Sequence, residues 1–520
     1  MAAEHVDAVV VGSGAAGAIM AAKLSAAGKK VVILEGGTTV QPREMVSADI
    51  YGRRLHWGGP APAVRLATPA IHTNFSTGWQ TGGTATHHYA AWFRLHEEDF
   101  RMRSTFGRGN DWPISYDELR PYYDRIQTEV GISGDATAEV WRPAGEPYPM
   151  PGLPTFAQGA VIKRGFEKLG MRTAPLPVAI NTREYHGRPA CLYDGWCDAG
   201  CPIGALANPQ TVYLKAALAQ GAELRTHATV TRVLTTANGK RATGVEYVDA
   251  DGTRRMQPAD VVVLAAFAIQ NPRILLNSAN AAHPNGLANV SGMVGKNLLV
   301  HPTTNVYGMF AEETQPAMGV AIGQLVSQDG YAKDPQKGFL ASYQWLIASA
   351  WKPNGLLGLA ASRQELYGAA LDDFMHRAAK HIGTLQMVGE TFPVAENRVE
   401  LASDKDAYGF PLARVVFSWS DNERALYEHA SGEGLSVLRA AGATETWRGP
   451  LVNQHLMGGT IMGNDPRTSV ADSFGVTHEV PNLVIAGPGL YPTSAALNPT
   501  FTLHALALRG VERILRAWPG

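Results

Sequence analysis

Apolar and polar positions along the chain sort into runs whose lengths and periods predict their secondary structure. Val6 to Val11 is a valine-rich run of strand length, followed by closely spaced glycines, an alanine-rich helical stretch to about Ala27, a turn at Gly28 and a second apolar strand, Val31 to Leu34. Continuous rather than alternating apolarity predicts strands buried on both faces, as in a parallel sheet covered by helices. At the other end, Asn482 to Gly487 reads as a buried strand and Thr500 to Arg516 as a helix. In between, TVTRVLTTANGKRATGVEYVDADG predicts two strands joined around Asn238-Gly239, a favoured hairpin pair, and Val261 to Leu264 a buried parallel-type strand. The stretch ELRPYYDRIQTE is spaced as an amphipathic helix that Ser115 caps, with Asp117 and Glu118 near its positive end, and we read it as scaffold. Internal repeats, low-complexity tracts and long linkers are not evident.

The glycines after the first strand carry chemistry. In GSGAAG, Gly12 allows a tight turn, Gly14 lets backbone approach a pyrophosphate, and Gly17 lets helix and sheet pack closely. The helix then presents free N–H groups and a positive dipole end to phosphate. Glu35, closing the second strand, is placed to accept hydrogen bonds from an adenosine ribose, which favours FAD or NAD over a 2′-phosphorylated cofactor. The C-terminal segment NLVIAGPGLYPTSAALNPTFTLHALALRGVERIL supplies another strand-to-helix turn, placed to share this domain and close over the isoalloxazine side of an extended flavin.

Composition narrows the partners. Of 520 residues, 45 are Lys or Arg and 46 Asp or Glu, so no global field draws in nucleic acid or an anionic membrane surface. No apolar run approaches the ~20 residues of a membrane-spanning helix, and the N-terminal residues lack the pattern of an export signal. Arg53 and Arg54 are too far inside to form a twin-arginine leader and read as surface or cofactor-side charges.

All three cysteines, Cys191, Cys197 and Cys201, lie in CLYDGWCDAGCPIG. Three thiolates followed by Pro202 suit an iron-sulfur cluster better than a disulfide framework or a four-ligand zinc site; buried thiols, or one disulfide and a spare, are the alternative. A flavin fits such a relay, because it accepts a hydride and passes electrons on singly.

Taken together, VVVGSGAAGAIMAAKL, LEGG, GRGNDWPISYDELRPYYD, VGKNLLVHP, NQHLMGGTIMG and LNPTFT resemble the glucose-methanol-choline (GMC) oxidoreductases. Among these the chain is most similar to the catalytic subunits of bacterial FAD-dependent glucose, gluconate and fructose dehydrogenases. The resemblance implies an α/β fold with an α+β substrate side: a Rossmann-like FAD-binding domain and a discontinuous second, substrate-binding domain built on an antiparallel sheet. With the order of motifs it places FAD-binding pieces at roughly 1–150, 205–300 and 450–520, a substrate-binding domain at 300–450 and a cysteine segment at 185–205. The C-x5-C-x3-C-P spacing is similar to the window that holds a 3Fe-4S cluster in glucose dehydrogenase catalytic subunits, implying Cys191, Cys197 and Cys201 as ligands. It further implies a small subunit with a twin-arginine signal, often a multihaem cytochrome c, and a place at the periplasmic face of the inner membrane; a cytoplasmic enzyme is the alternative.

The expected reaction is oxidation of a hydroxyl of a sugar, glycoside or sugar acid by hydride transfer to flavin N5. An imidazole suits the accompanying proton abstraction, and His455, flanked by Gly458 and Gly459, matches the family's base. The second polar group of the family is His or Asn, here Asn498, with Pro499 fixing the backbone beside it. Gly82 and Gly83 resemble a flavin-contacting turn, and Val230 lies near where the family contacts adenine. Thr86-His87 looks like the pair that bonds flavin covalently in pyranose oxidases; the competing reading is that His87 and His88 only hydrogen-bond in the flavin pocket. Two departures stand out: TGGTATHHYAAW is poorer in tryptophan than the usual flavin-side segment, and Phe267 stands where Gly or Asn is more usual. His301 and His504 read as structural rather than as ligands, Gln386 and Glu390 as solvated or pocket-lining, and Trp345, Trp351 and Trp447 as core in preference to sugar contacts. Two rival functions remain: a pyranose-oxidase-like enzyme using dioxygen, and a non-catalytic flavin electron-transfer subunit.

Overall fold

The first apolar run folds as strand Val6–Val11, helix Ala15–Ala26 and strand Val31–Leu34. In this computed structural model residues 4–45 and 77–518 are described; Arg53 and Arg54 lie outside them. The valine-rich strand is central to a sheet ordered Glu223–Arg225, Val31–Leu34, Val6–Val11, Arg254–Leu264, Ala242–Val248, Thr229–Thr235, with Leu483–Ile485 also pairing Arg254–Leu264. Its pairs nearest the N-terminal strand are parallel, which is why those strands are apolar on both faces: Val9, Val10, Val261, Val262 and Val263 are fully buried. The predicted hairpin is antiparallel and turns through Gly239, whose φ is +70°. Helices Ala15–Ala26 and Thr500–Arg516 pack together against this sheet, joining the two chain ends.

A second sheet, ordered Glu445–Arg448, Leu298–Met309, Ile382–Gly389, Tyr343–Ile347, Leu325–Ser327 and Ala174–Pro175, is antiparallel throughout. Helix Asp421–Ala441, capped by Ser420 with Glu423 completing a capping box, covers it. Trp345 is buried between them and donates to Glu433; Trp351 and Trp447 are half-buried against a neighbouring apolar cluster. The long Leu298–Met309 strand also pairs with Val452–Gly458, and these two carry the histidines described below. The scaffold helix Tyr116–Val130 begins at Ser115, as its capping box requires. Among the described residues, no helix is long and apolar enough to cross a membrane.

Candidate active site

A cavity of about 660 Å³ runs between the two sheets, from Gly12, Gly14 and Glu35 to His455, Asn498 and Pro499. Its volume falls in the range of cofactor and ligand sites. The glycine turn forms its floor. Gly12 has φ +97°, and a Cβ there would lie 2.7 Å from the Ala265 carbonyl oxygen; a Cβ on Gly17 would lie 2.0 Å from the Gly12 carbonyl oxygen. Gly14, by contrast, meets only the Gly82 carbonyl oxygen, at 3.8 Å, so the space its missing side chain leaves belongs to the cavity.

Glu35 is buried and accepts from the Ser13 backbone N–H (3.0 Å), the Ser13 hydroxyl (2.7 Å) and the Gly37 N–H (2.9 Å). Burial pushes its carboxyl above the ordinary range, and these three donors oppose that shift. The Gly82 N–H donates to the Ser13 hydroxyl at 3.0 Å, tying the second glycine turn to the first. Gly83 and Val230 line the cavity as well, Val230 from the Thr229–Thr235 strand. The helix Ala15–Ala26 aims its N-terminus at this end, and Thr500–Arg516, with Pro499 as its cap residue, aims another at the opposite end. Both positive dipole ends favour anionic groups of a ligand.

His455 reaches the cavity because its strand is bulged. Gln454 pairs with His301 and Met457 with Leu299, so His455 and Leu456 together oppose Val300. His455 takes up the extra residue in a left-handed conformation, φ +54°, the kind of local strain that clusters at functional sites. Its Nδ1 lies 2.8 Å from His301 Nδ1, and its Nε2 lies 3.3 Å from Asn498 Nδ2. Burial, and then the neighbouring His301, hold its pKa well below that of ordinary histidine, so it is a neutral imidazole near pH 7. His301 is fully buried and lowered to about 4, chiefly by burial.

His87 and His88 also line the cavity. The two ring nitrogens of His87 lie 2.8 Å from Gln80 Nε2 and 2.9 Å from the Asp198 carbonyl oxygen, so a covalent bond to a flavin would require giving up one of these contacts. His88 Nε2 bonds the Ala207 carbonyl at 2.7 Å. The contact with Asp198 joins the 3-10 turn Gly83–His87 to the 3-10 turn Cys197–Ala199, so the cavity wall abuts the cysteine segment.

All three cysteines are free, with Cys197 buried and the others half-buried. The Tyr193 N–H donates to Cys191 Sγ (3.3 Å) and the Ala321 N–H to Cys197 Sγ (3.5 Å). Burial pushes the Cys191 thiol up to about 11 and Cys197 higher still; Cys201 and Asp194 raise Cys191 further, and Cys191, Cys201 and Asp198 raise Cys197. Arg188 interacts electrostatically with Cys201, and Lys352 with Cys197. Among the described residues no group of three or more His, Cys, Asp or Glu side chains converges as ligands of a metal ion do.

Some residues singled out from sequence stand elsewhere. Glu390 is buried 3.3 Å from Lys333, and neither it nor Gln386 lines the cavity. Phe267 lines it with φ +82°, a conformation that explains why glycine or asparagine would be easier there. His504 packs on Trp92 with ring centroids 4.7 Å apart. The residue that the sequence reading undervalued is His301: an isolated histidine in an apolar strand gives no sign that a bulge on a distant segment will press an imidazole against it.

The βαβ turn and the two helix N-termini suit a dinucleotide cofactor, and the family and relatives the chain matches make this an FAD-dependent oxidoreductase acting on CH–OH donors. The GMC oxidoreductase family model matches residues 6–303 and 393–507. The chain belongs to the GMC oxidoreductase family, whose cofactor is FAD. It is 31% identical to the fructose dehydrogenase large subunit of Gluconobacter japonicus, covering 98% of this chain and 97% of that one. It is 34% identical to the 2-methyl-1,2-propanediol dehydrogenase of Mycolicibacterium austroafricanum, covering 99% and 96% respectively. In fold it is similar to formate oxidase from Aspergillus oryzae RIB40, with TM-score 0.69 and 14% identity over 100% of this chain and 99% of that one.

Proposed function

We propose that this protein is a dehydrogenase that oxidises a secondary or primary hydroxyl of a sugar, glycoside or sugar acid, with His455 as the base and Asn498 as its partner. The observation that carries this reading is the imidazole–amide pair at one end of the cavity, 3.3 Å apart and away from the glycine turn. Bound FAD supplies the acceptor for the hydride that leaves the carbon. His455 Nε2 takes the hydroxyl proton as the C–H and O–H bonds break and the carbonyl forms. Asn498 donates to the substrate oxygen and, being an amide, does not compete for its proton. Gly12, Gly14 and Glu35 would hold the adenosine and pyrophosphate end, Val230 would flank the adenine, and Gly83, His87 and Pro499 would border the ring system; Gly17 and Gly82 stand behind the cavity wall, Gly17 packing helix on strand and Gly82 tying the two glycine turns through Ser13. The same assignment divides the chain into FAD-binding pieces at 1–150, 205–300 and 450–520 and a substrate-binding unit at 300–450.

Cys191, Cys197 and Cys201 would hold a 3Fe-4S cluster, which would supply single-electron exit from the site. Three free thiols on one loop, N–H donors to two of the sulfurs and cations near Cys197 and Cys201 support this reading; the raised thiols and the sulfurs' lack of convergence weigh against it, so ligation requires the loop to close around the irons. The electrons leave to a partner, on the pattern of a relative that is itself a large subunit, and the complex sits at the periplasmic face of the inner membrane. The 2-methyl-1,2-propanediol dehydrogenase among the relatives supports a second substrate class, small branched diols.

Anaerobic mixing of the purified yellow protein with fructose, glucose, gluconate, glucosides and small diols is expected to bleach the flavin with one class and yield the matching carbonyl product. Iron and acid-labile sulfide are expected in the same preparation. Peroxide formation without iron would replace this reading with an oxidase, and a flavin that no alcohol bleaches would replace it with a carrier.

A further inference from the structure

His301 Nε2 lies 3.0 Å from the carbonyl oxygen of Ser494. A carbonyl only accepts, so that nitrogen carries the hydrogen; at neutral pH the ring is uncharged, which leaves Nδ1 with a lone pair. The Nδ1 atoms of His301 and His455 are 2.8 Å apart. For that contact to be a hydrogen bond, His455 must donate from Nδ1, and its lone pair then sits on Nε2.

The opposite side of His455 demands the same arrangement. Its Nε2 faces the Asn498 amide nitrogen, a donor, at 3.3 Å. That amide is oriented in turn: Asn498 Oδ1 accepts from Gln344 Nε2 at 3.3 Å, Gln344 Oε1 accepts from Gln328 Nε2 at 3.2 Å, and Gln328 Oε1 lies 2.9 Å from His96 Nε2. Every donor from His96 onward points toward His455 Nε2, and every donor beyond it points toward Ser494. The chain has one consistent direction, in which reversing a single ring or amide would set two donors or two acceptors face to face.

We propose that His301 is a positioning residue that locks His455 in the Nδ1–H tautomer and so keeps a lone pair on Nε2, which the substrate hydroxyl takes over from the Asn498 amide. This rests on the assignment of His455 as the base. His301 is not an exit for the proton: its far nitrogen ends on a backbone carbonyl, which cannot take a proton onward, so the abstracted proton leaves from the cavity side of the histidine pair. The arrangement has the logic of a base held by a third group in a hydrolytic triad, with a neutral imidazole in the place of the carboxylate.

Two isosteric substitutions isolate the acceptor. In His301→Asn the side-chain oxygen stands near the position of Nδ1, whereas His301→Leu has the same shape and no acceptor; both lose the contact with Ser494. His301→Leu is expected to slow anaerobic flavin reduction by about 10²- to 10⁴-fold, the contribution of a positioned base, with the wrong tautomer in a triad, about 10⁴, as the upper end, while His301→Asn recovers at least about tenfold of that loss. Bound FAD, judged by its absorbance ratio, is expected to be unchanged in both. Independently of turnover, long-range ¹H–¹⁵N spectra of histidine-labelled protein with FAD bound are expected to show His455 protonated at Nδ1 in the wild type and in His301→Asn, and shifted toward the Nε2–H form in His301→Leu. Equal rates in the two variants, or an Nε2–H signal for His455 in the wild type, would overturn the proposal. A His455→Ala protein with normal flavin reduction would instead remove the base assignment, while the tautomer spectrum would still report on the lock.

Discussion

Replacing His455 by alanine is expected to leave FAD bound and to slow its reduction by substrate about 10²- to 10⁴-fold, the usual contribution of a positioned base. The cofactor should remain because its holding groups, the glycine turn, Glu35 and the N-terminus of the Ala15–Ala26 helix, lie toward the other end of the cavity. Alanine also tolerates the bulge at little additional cost, since His455 itself already occupies φ +54° as a non-glycine residue. The pH profile separates loss of a base from general damage. A base works when unprotonated, so the rate is full above its pKa and falls below it. Burial and His301 hold His455 well below the ordinary histidine value; wild-type flavin reduction should therefore be level across neutral pH and decline only well on the acid side of 6.5. In the alanine variant, proton removal falls to solvent, and the residual rate should climb with pH through the neutral range. Stopped-flow absorbance of the flavin at several pH values measures both. A variant that keeps the wild-type rate and its flat profile would show that some other group takes the proton.

The parts of this site that could be read from sequence are those set by local rules. The strand, helix and strand around GSGAAG, the hairpin at Asn238-Gly239 and the helix Thr500–Arg516 follow from short-range periodicity and turn chemistry, and they fold within a residue or two of those readings. Phe267 drew notice as out of place, and its left-handed backbone gives the reason. The contact of His301 with His455 is of another kind: it joins positions 154 apart through a bulge, and a period-2 pattern carries no mark of where an extra residue is inserted. Glu390 departs from its sequence expectation for a related reason. Its charge suggested solvent or a pocket, whereas Lys333 and Asp99, from separate segments, close around it in the core. The cysteine loop is intermediate: its spacing is local and legible, but its approach to the cavity through His87 and the Asp198 carbonyl depends on how two distant turns meet.

The substitution Gly17→Ala is expected to yield protein that loses its FAD on desalting and melts at a lower temperature. On an exposed helix this change would be favourable, because alanine is the better helix former by about 1 kcal/mol. Here the added Cβ would fall 2.0 Å from the Gly12 carbonyl oxygen and 3.1 Å from its carbon, with the Ala265 side chain at 3.3 Å on the other side. The obstacle is backbone, which cannot rotate aside as a flexible side chain can. Relief therefore requires the Ala15–Ala26 helix to move off the strand it follows, carrying with it the N-terminal N–H groups that face the cavity. Overpacking of this kind typically costs about 1–3 kcal/mol, and the displacement degrades the phosphate cradle directly. Gly28→Ala is the control: it lies at the other end of the same helix with φ +77° and nothing within 4 Å of the new Cβ, so it should suffer only the backbone strain, about 1–2 kcal/mol, and keep its flavin. Absorbance ratios after desalting and Tm values for the two variants make the comparison. If Gly17→Ala retained a full complement of FAD at the wild-type Tm, the close packing of helix on strand would not be what shapes the cofactor site.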